Sequence, residues 1–155
     1  MSSPVPAQVY TERLGVPLRW WVQGTMFVMT LWLALIVAVP GVLAWSVTAS
    51  ALALLAAGLL AYGNARISVT DGVLHAGRAR ISGAHLGAAV ALDQEQTRRT
   101  AGREADARAY LLLRPYLKRG VRVEITDPAD PAPYWLVSSR RPDELAAALT
   151  SIRRR

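Results

Sequence analysis

The feature that most constrains this chain is a long uncharged segment in its first half. No Lys, Arg, Asp, Glu or His occurs between Arg19 and Arg66. A bilayer core about 30 Å thick needs about 20 apolar residues in a helix, so the segment has the length for two crossings. Pro40-Gly41 lies in its middle, and this dipeptide favours a turn. The sequence therefore predicts a helical hairpin at residues 20–63, with spans at 20–39 and 42–62.

The charges that flank the hairpin predict its orientation. Arg13 and Arg19 precede it, and Arg66, Arg78 and Arg80 follow it, whereas the turn between the spans is uncharged. Basic residues concentrate on the cytoplasmic side of membrane proteins. We therefore expect a multi-pass protein of the bacterial cytoplasmic membrane with both termini in the cytoplasm. The first apolar run is longer than that of a cleaved signal peptide, which favours a retained anchor.

Residues 1–19 are predicted to form an N-terminal cytoplasmic tail. Its part at 9–18 has two interpretations. Tyr10, Arg13 and Leu14 could lie on the lipid headgroups in a short interfacial segment, or the basic residues could only flank the first span and direct its insertion. We favour the second interpretation.

The second span carries a row of small residues at every fourth position, which places them on one helical face. Small residues allow helix backbones to approach closely in lipid. We expect this face to pack against the first span through residues such as Leu31, Leu35 and Ala38, or against a second copy of the chain. The members of this candidate helix-packing face are Ala49, Ala53, Ala57 and Ala61. Neither span contains an ionisable side chain, which argues against a hairpin that transports ions or protons.

After the hairpin the pattern changes to short, β-like runs separated by turn residues. We predict seven strands in residues 64–155, at 67–70, 73–76, 78–82, 86–92, 109–113, 121–125 and 134–138. Asp71-Gly72 between the first two is a strong hairpin signal. The polar segment 93–108 is interpreted as an exposed loop that can include a helical turn.

The final predicted element is an amphipathic helix at residues 142–153. Pro142 suits the first helical position, and the two acidic residues after it complement the helix dipole. Leu145, Leu149 and Ile152 form one apolar stripe.

These elements predict an α+β membrane protein. A transmembrane α-helical hairpin is followed by a small antiparallel, β-barrel-like cytoplasmic domain, one end of which is capped by the C-terminal helix. The order of seven strands and a helix resembles the pleckstrin-homology-like (PH-like) fold.

Three segments carry a second resemblance. They are Tyr10-Thr-Glu-Arg-Leu-Gly-Val-Pro17, Arg114-Pro115-Tyr116, and the run from Thr126 to Leu149 that contains Tyr134-Trp-Leu-Val-Ser-Ser-Arg140-Arg-Pro. Together they resemble an uncharacterised actinobacterial two-span membrane family, a domain of unknown function. The resemblance implies the architecture described above and supplies no catalytic residue.

No residue pattern predicts catalysis. The chain has no cysteine, which excludes disulfides and thiolate chemistry. His75 and His85 lack the spacing of metal ligands, and no phosphate loop or dinucleotide fingerprint occurs. Ser138 and Ser139 lack the glycines of a nucleophile elbow. We therefore expect no cofactor, no metal and no enzymatic activity.

Basic and aromatic residues form the candidate recognition surface. The net charge is +7, and each basic group near an anionic leaflet gains about 1 kcal/mol. Adjacent residues of a strand point to opposite faces, so one of Tyr134 and Trp135 is expected in the core. The other could pack at the rim of the core, which we favour, or belong to an exposed recognition surface. The candidate surface for a partner or lipid consists of Arg114, Tyr116, Lys118, Arg119, Tyr134, Trp135, Arg140 and Arg141.

Two functions are consistent with this sequence. The first is a membrane-anchored, non-enzymatic adaptor on the cytoplasmic face that binds a protein partner or anionic lipid headgroups. The alternative is an accessory or regulatory subunit of a membrane enzyme or transporter, assembled through the hairpin. Nucleic acid is not an expected partner, because aromatic residues do not alternate with the arginines as a stacking surface requires.

Overall fold

The computed structural model describes residues 8–154. The chain forms two compact units. The helical unit comprises residues 15–64, and the β unit combines the segment that ends at Leu14 with the segment that begins at Ala65. The helical unit is therefore an insertion in the sequence of the β unit.

The helical unit consists of two helices, α1 at Leu18–Ala38 and α2 at Gly41–Gly63. Pro40 separates them and is the N-cap of α2, because proline cannot continue the first helix but is compatible with the start of the second. Both helices are long and apolar enough to cross a membrane, judged by length and composition alone. The predicted pair of helices with a break at Pro40-Gly41 is confirmed.

The contact between α1 and α2 runs along one narrow side of each helix. Val28 of α1 and Ala44 and Thr48 of α2 are buried there. A Cβ atom added to Gly24 would lie 2.9 Å from the Leu55 side chain, so the absence of a side chain lets the helices approach closely at this level.

The alanine face of α2 is exposed. Ala49, Ala53, Ala57 and Ala61 are all exposed, whereas Ala44 and Thr48 of the same helix are buried. Packing of these alanines against the first span, or against a second copy of the chain, stays a prediction.

The first sheet of the β unit, sheet 1, contains four antiparallel strands in the order β1-β2-β3-β4. They are β1 at Gln8–Arg13, β2 at Arg66–Thr70, β3 at Val73–Ala76 and β4 at Ala79–Ser82. Asp71 and Gly72 have φ of 52° and 76°, the left-handed conformation that a two-residue hairpin turn requires. The predicted hairpin at this turn is confirmed.

The second sheet, sheet 2, has the order β5-β7-β8-β6. Its strands are β5 at Leu86–Leu92, β6 at Tyr110–Leu112, β7 at Gly120–Ile125 and β8 at Tyr134–Ser138. Strand β6 is parallel to β8, whereas the other pairs are antiparallel. Helix α3 spans Gln94–Ala101, and α4 spans Pro142–Arg153.

The predicted α+β class and the C-terminal helix are confirmed, but the predicted barrel is not observed. Within residues 8–154 the strands form two separate sheets, and β4 does not pair with β5. A short 3₁₀ turn at Gly83–His85 separates these two strands. A Cβ atom at Gly83 would lie 2.8 Å from the carbonyl oxygen of Ile152, so the chain passes closely under the end of α4 and then starts a new sheet.

Strand β1 was not predicted. The segment around Tyr10 was interpreted as a flank of the first span, but it pairs with β2 from Gln8↔Thr70 to Arg13↔Arg66. Tyr10, Glu12 and Leu14 are buried and Thr11 and Arg13 are exposed, which is the alternation of a half-buried strand. The charged Glu12 at an inward position concealed this alternation in the sequence.

The β unit has one main core and one smaller cluster. The main core lies between the two sheets and α4, where Ile67, Val69, Val123 and Leu145 are each at most 1% exposed. The smaller cluster contains Leu92, Tyr134 and Leu136. Because β8 contributes to both clusters, all five of its residues are buried.

Candidate functional site

The aromatic pair on β8 is not exposed. Tyr134 is 5% and Trp135 is 4% exposed. The two side chains lie in different clusters, Trp135 in the main core and Tyr134 in the smaller one. Tyr134 Oη accepts a hydrogen bond of 3.0 Å from the backbone N–H of Asp106, and the Trp135 ring lies 4.8 Å from that of Tyr110. Neither residue supplies the exposed recognition aromatic that the sequence suggested.

Most of the predicted basic surface is engaged within the β unit. Arg119 pairs with Asp143 at 3.1 Å and Arg141 with Glu144 at 2.9 Å. Arg114 is half-buried and donates to the carbonyl of its neighbour Leu113. These contacts partly neutralise the cations, so the predicted residues do not form one open cationic surface.

Two of the three remaining members bind β1 or its continuation. The guanidinium of Arg140 donates to the backbone oxygen of Arg13 at 3.4 Å, and Tyr116 Oη donates to that of Leu14 at 2.7 Å. Lys118 is exposed. The main observed role of Arg140 and Tyr116 is therefore to hold the first strand.

A buried polar cluster fixes β1 to the start of α4. Glu12 is 5% exposed, and its carboxylate accepts three hydrogen bonds: 2.6 Å from Tyr10 Oη, 2.6 Å from Ser139 Oγ and 2.8 Å from the backbone N–H of Arg140. Both carboxylate oxygens are thus satisfied, which burial of a charge requires. The Arg141 guanidinium lies 5.4 Å above the Tyr10 ring. No residue of this cluster remains available for a ligand, and the arrangement is structural.

Burial raises the pKa of Tyr10 to about 12, and the hydrogen bond to Glu12 adds to this effect. The phenol is therefore a hydrogen-bond donor at neutral pH rather than a base. At the surface, the hydrogen bonds from Arg108 hold the pKa of Asp106 below its usual value. Neither shift creates a group poised for proton transfer near neutral pH.

The outward side of sheet 1 is the strongest candidate for a binding site. One row of directly opposed residues crosses all four strands, from Thr11 to Ser68, His75 and Arg80. The next row begins with Arg13 directly opposite Arg66. All six side chains are exposed or half-buried. We call this set the outer face of sheet 1: Thr11, Arg13, Arg66, Ser68, His75 and Arg80.

The outer face carries cations without acidic partners. Among the described residues, Arg13, Arg66 and Arg80 have no carboxylate oxygen within 4.0 Å. Like charges directly opposite each other on neighbouring strands are destabilising, and the Arg13–Arg66 pair is such a case. A shallow depression of about 370 Å³ lies beside His75 and Arg80 and is also lined by Val73. The arrangement suits an anion that accepts hydrogen bonds from several arginines.

The sequence contains the alternating pattern that indicates this face in β2, but it does not show that residues of β1 join the face. From the sequence, Arg66 and Arg80 are interpreted as charges that set membrane orientation, and Arg13 as such a charge or as part of an interfacial segment, whereas His75 is assigned no ligand role. The alternation of Arg66 and Ser68 with Ile67 and Val69 marks an outward polar row. Strand β1 was not predicted, and this strand adds Thr11 and Arg13 to the outward polar residues. Within the part of the chain that the structure describes, no three His, Asp or Glu residues form a group that could hold a metal ion.

The fold and the site together define a class: a two-sheet α+β unit, interrupted in sequence by a pair of long apolar helices, that presents a cationic sheet face. The chain belongs to the family described as "Protein of unknown function (DUF3093)", whose sequence profile matches residues 9–149. The match confirms the predicted membership of an uncharacterised family. No curated protein and no solved structure matches the chain.

Proposed function

We propose that this protein is a membrane-anchored, non-enzymatic binding module. Helices α1 and α2 insert as a hairpin into the bacterial cytoplasmic membrane. The β unit lies on the cytoplasmic face, where it binds a protein partner or anionic lipid headgroups. The observation that carries this proposal is the pairing of β1 with β2 across the two apolar helices.

The pairing restricts the ways in which the chain can enter a bilayer. Strand β1 ends at Arg13, before α1, and β2 begins at Arg66, after α2. Two paired strands must be on the same side of a membrane, so the helices between them must cross it an even number of times. Two helices of sufficient length lie between them, which supports one crossing out and one crossing back.

The surface of the helical unit supports insertion. Large apolar side chains project from both helices, among them Leu18 at 76%, Val37 at 87%, Val42 at 85% and Leu54 at 73% exposure. Soluble proteins rarely expose such extended apolar surface. Lipid tails solvate it, and both helices keep their backbone hydrogen bonds within themselves, as the bilayer requires.

Charge supports the cytoplasmic placement of the β unit. Arg13 and Arg19 precede the helices, and Arg66, Arg78 and Arg80 follow them. The positive-inside bias favours an orientation with these residues in the cytoplasm. The order of strands β2 to β8 and the final helix α4 also supports a relationship to PH-like domains. Strand β1, helix α3, the parallel pairing of β6 with β8 and the two open sheets are departures from that fold.

The proposal is tested by membrane topology, for which the cysteine-free sequence is well suited. A single cysteine replaces Gly41 between the helices, where an added Cβ meets nothing within 4 Å, or the exposed Ala147 on α4. In intact cells, a membrane-impermeant maleimide should label Gly41→Cys but not Ala147→Cys. After permeabilisation both should react. Extraction of the wild-type chain by alkaline carbonate, or equal labelling of both cysteines in intact cells, would overturn the proposal.

The alternative of an accessory subunit is favoured by one observation, the exposure of the alanine face. Because Ala53 and Ala57 are exposed, they are available to contact another transmembrane helix. Leucine at both positions should then abolish copurification of a partner from native membranes. The matched control replaces Ala34 and Ala38, two exposed alanines of α1, with leucine. Unchanged partner recovery with Ala53→Leu/Ala57→Leu would refute the subunit hypothesis.

A further inference from the structure

We propose that the outer face of sheet 1 binds the phosphate groups of anionic phospholipids in the membrane that anchors the chain. The inference rests on the membrane anchoring proposed above and specifies the ligand. It is argued from the register of the strands, the distribution of ion pairs and the position of the arginines in the chain.

The register brings the ligand-binding groups together. Residues directly opposite on antiparallel strands have Cβ atoms about 4.5–5.5 Å apart. His75 lies between Ser68 and Arg80 in one row. Arg13 and Arg66 lie opposite each other in the next row. Together with Thr11, which is opposite Ser68, three guanidinium groups, an imidazole and two hydroxyls thus share one sheet face of only four strands.

The outer face groups three arginines on one sheet surface, none of them in an ion pair within residues 8–154. Four arginines elsewhere on the unit have an acidic partner, and others, such as Arg98 and Arg103, also lack an ion pair among the described residues. The pairs are Arg99–Glu95, Arg108–Asp106, Arg119–Asp143 and Arg141–Glu144. The arginines of the outer face have no such partner among the described residues. Glu12, the acidic residue of β1, points to the opposite side and is buried. An external anion is therefore the partner that offsets the repulsion between Arg13 and Arg66.

Phosphate fits the donors on this face. Arginine presents N–H groups in a planar fork that binds two oxygens of one phosphate. Ser68 and Thr11 add hydroxyl donors, and the depression beside His75 and Arg80 gives one headgroup a place to enter. No aromatic residue belongs to the outer face, so it lacks the stacking surface that single-stranded nucleic acid requires.

The chain connections favour a lipid over a soluble ligand. Arg13 is the last residue of β1 and Arg66 the first of β2. Only residues 14–17 separate Arg13 from α1, and only residues 64–65 separate α2 from Arg66. An extended residue spans at most about 3.6 Å. With both helices in the bilayer, these short linkers keep the two arginines near the headgroups.

The test uses the full-length chain in nanodiscs made of phosphatidylcholine, alone or mixed with phosphatidylglycerol. The exposed Ala84, which follows β4 and lies outside the outer face, is replaced by cysteine and carries a fluorophore. A lipid-borne acceptor at headgroup level reports its distance by energy transfer. Anionic lipid should increase the transfer, and salt should reverse the increase because it screens exposed charges. A second label at the exposed Ala147 on α4 shows whether the change is specific to the outer face.

The variant Arg66→Gln/Arg80→Gln should abolish most of the response. About 1 kcal/mol per basic group corresponds to about fivefold, so the ratio of docked to undocked β units should fall about 25-fold. The matched control, Arg98→Gln/Arg103→Gln, removes the same charge from exposed residues in and just after α3 and should leave the response unchanged. An equal loss in the control would overturn the proposed site, because the attraction would then follow net charge only.

Three further outcomes would also overturn the inference. Transfer that does not respond to phosphatidylglycerol excludes lipid binding by this face. Inorganic phosphate could also abolish the increase in energy transfer at a charge concentration at which sodium chloride has no effect. That result would indicate a site for the free phosphate ion. In native membranes, Arg66→Gln/Arg80→Gln could lose a protein that cross-links to the wild-type chain, while the wild-type chain in nanodiscs shows no response to anionic lipid. That result would indicate a protein ligand. Failure of the chain to remain in the nanodisc would instead refute the proposed membrane anchoring.

Discussion

The buried carboxylate of Glu12 gives the most direct test of how β1 is held. Replacement by alanine removes the acceptor for three donors: Tyr10 Oη, Ser139 Oγ and the backbone N–H of Arg140. Tyr10 and Ser139 can still bond to each other, since their oxygens are 3.2 Å apart. One buried hydroxyl hydrogen then has no acceptor, and the part-buried backbone N–H of Arg140 loses its bond to the carboxylate.

The magnitude follows from these two orphaned donors. An unsatisfied buried donor costs about 1–3 kcal/mol, so Glu12→Ala should destabilise the pairing of β1 by about 2–5 kcal/mol. Glu12→Gln should cost less, about 1 kcal/mol, because hydroxyl groups can accept as well as donate and the amide can keep all three contacts. The exposed Thr11→Ala on the same strand should change the stability by less than about 0.5 kcal/mol.

Hydrogen exchange of the β2 amides, measured by mass spectrometry on the full chain in detergent, reports this free energy locally. Each 1.4 kcal/mol is a factor of ten, so Glu12→Ala should accelerate exchange at least about 25-fold. The same amides in Thr11→Ala should exchange at nearly the wild-type rate. An acceleration below about fivefold in Glu12→Ala, or equal effects of alanine and glutamine, would refute the reasoning from unsatisfied donors.

Three other variants test separate parts of the β unit. Burial raises the pKa of Tyr10 to about 12, so its contribution to the free energy of unfolding should be fully present below pH 10. This contribution, about 2–3 kcal/mol, should be lost as the pH rises from 10 to 12. Thermal unfolding of Tyr10→Phe should lack this part of the decline. Gly120→Ala would bring a Cβ within 2.7 Å of the Val137 carbonyl oxygen. In denaturant unfolding, this variant should lower the free energy of unfolding by about 1–3 kcal/mol. Gly15→Ala, where the added Cβ meets open space, should be near neutral. Asp93→Ala removes the capping box of α3 and should cost about 1 kcal/mol, seen as faster exchange confined to that helix.

The sequence predicted those elements whose residues follow a single strong physical rule. The helices follow from uncharged length and from Pro40, and β7 follows from the alternation of Val121, Val123 and Ile125. The turn between β2 and β3 follows from Asp71-Gly72. In each case residues that are close in sequence determine the element, and the structure contains the predicted element.

The elements that were missed depend on contacts distant in sequence. Strand β1 has a glutamate at an inward position, and two of the three hydrogen bonds that make its burial favourable come from Ser139 and Arg140, far along the chain. The burial of Tyr134 likewise depends on the segment around Asp106 that covers it. No local pattern contains this information, and the outer face of sheet 1 was missed for the same reason, because Thr11 and Arg13 reach it only through β1.

The interruption of sheet 1 by the helical unit has a consequence for biosynthesis. A ribosome adds about 5–20 residues per second, so several seconds pass between the synthesis of Arg13 and that of its partner Arg66. During this interval β1 has no neighbouring strand. With the hairpin insertion proposed above, β2 could pair with β1 only if both helices had crossed the membrane or neither had. A chain in which one helix alone had crossed would keep β1 and β2 on opposite sides and leave an unpaired strand edge. Under the proposed anchoring, completion of sheet 1 would therefore distinguish a half-inserted chain from a fully inserted one.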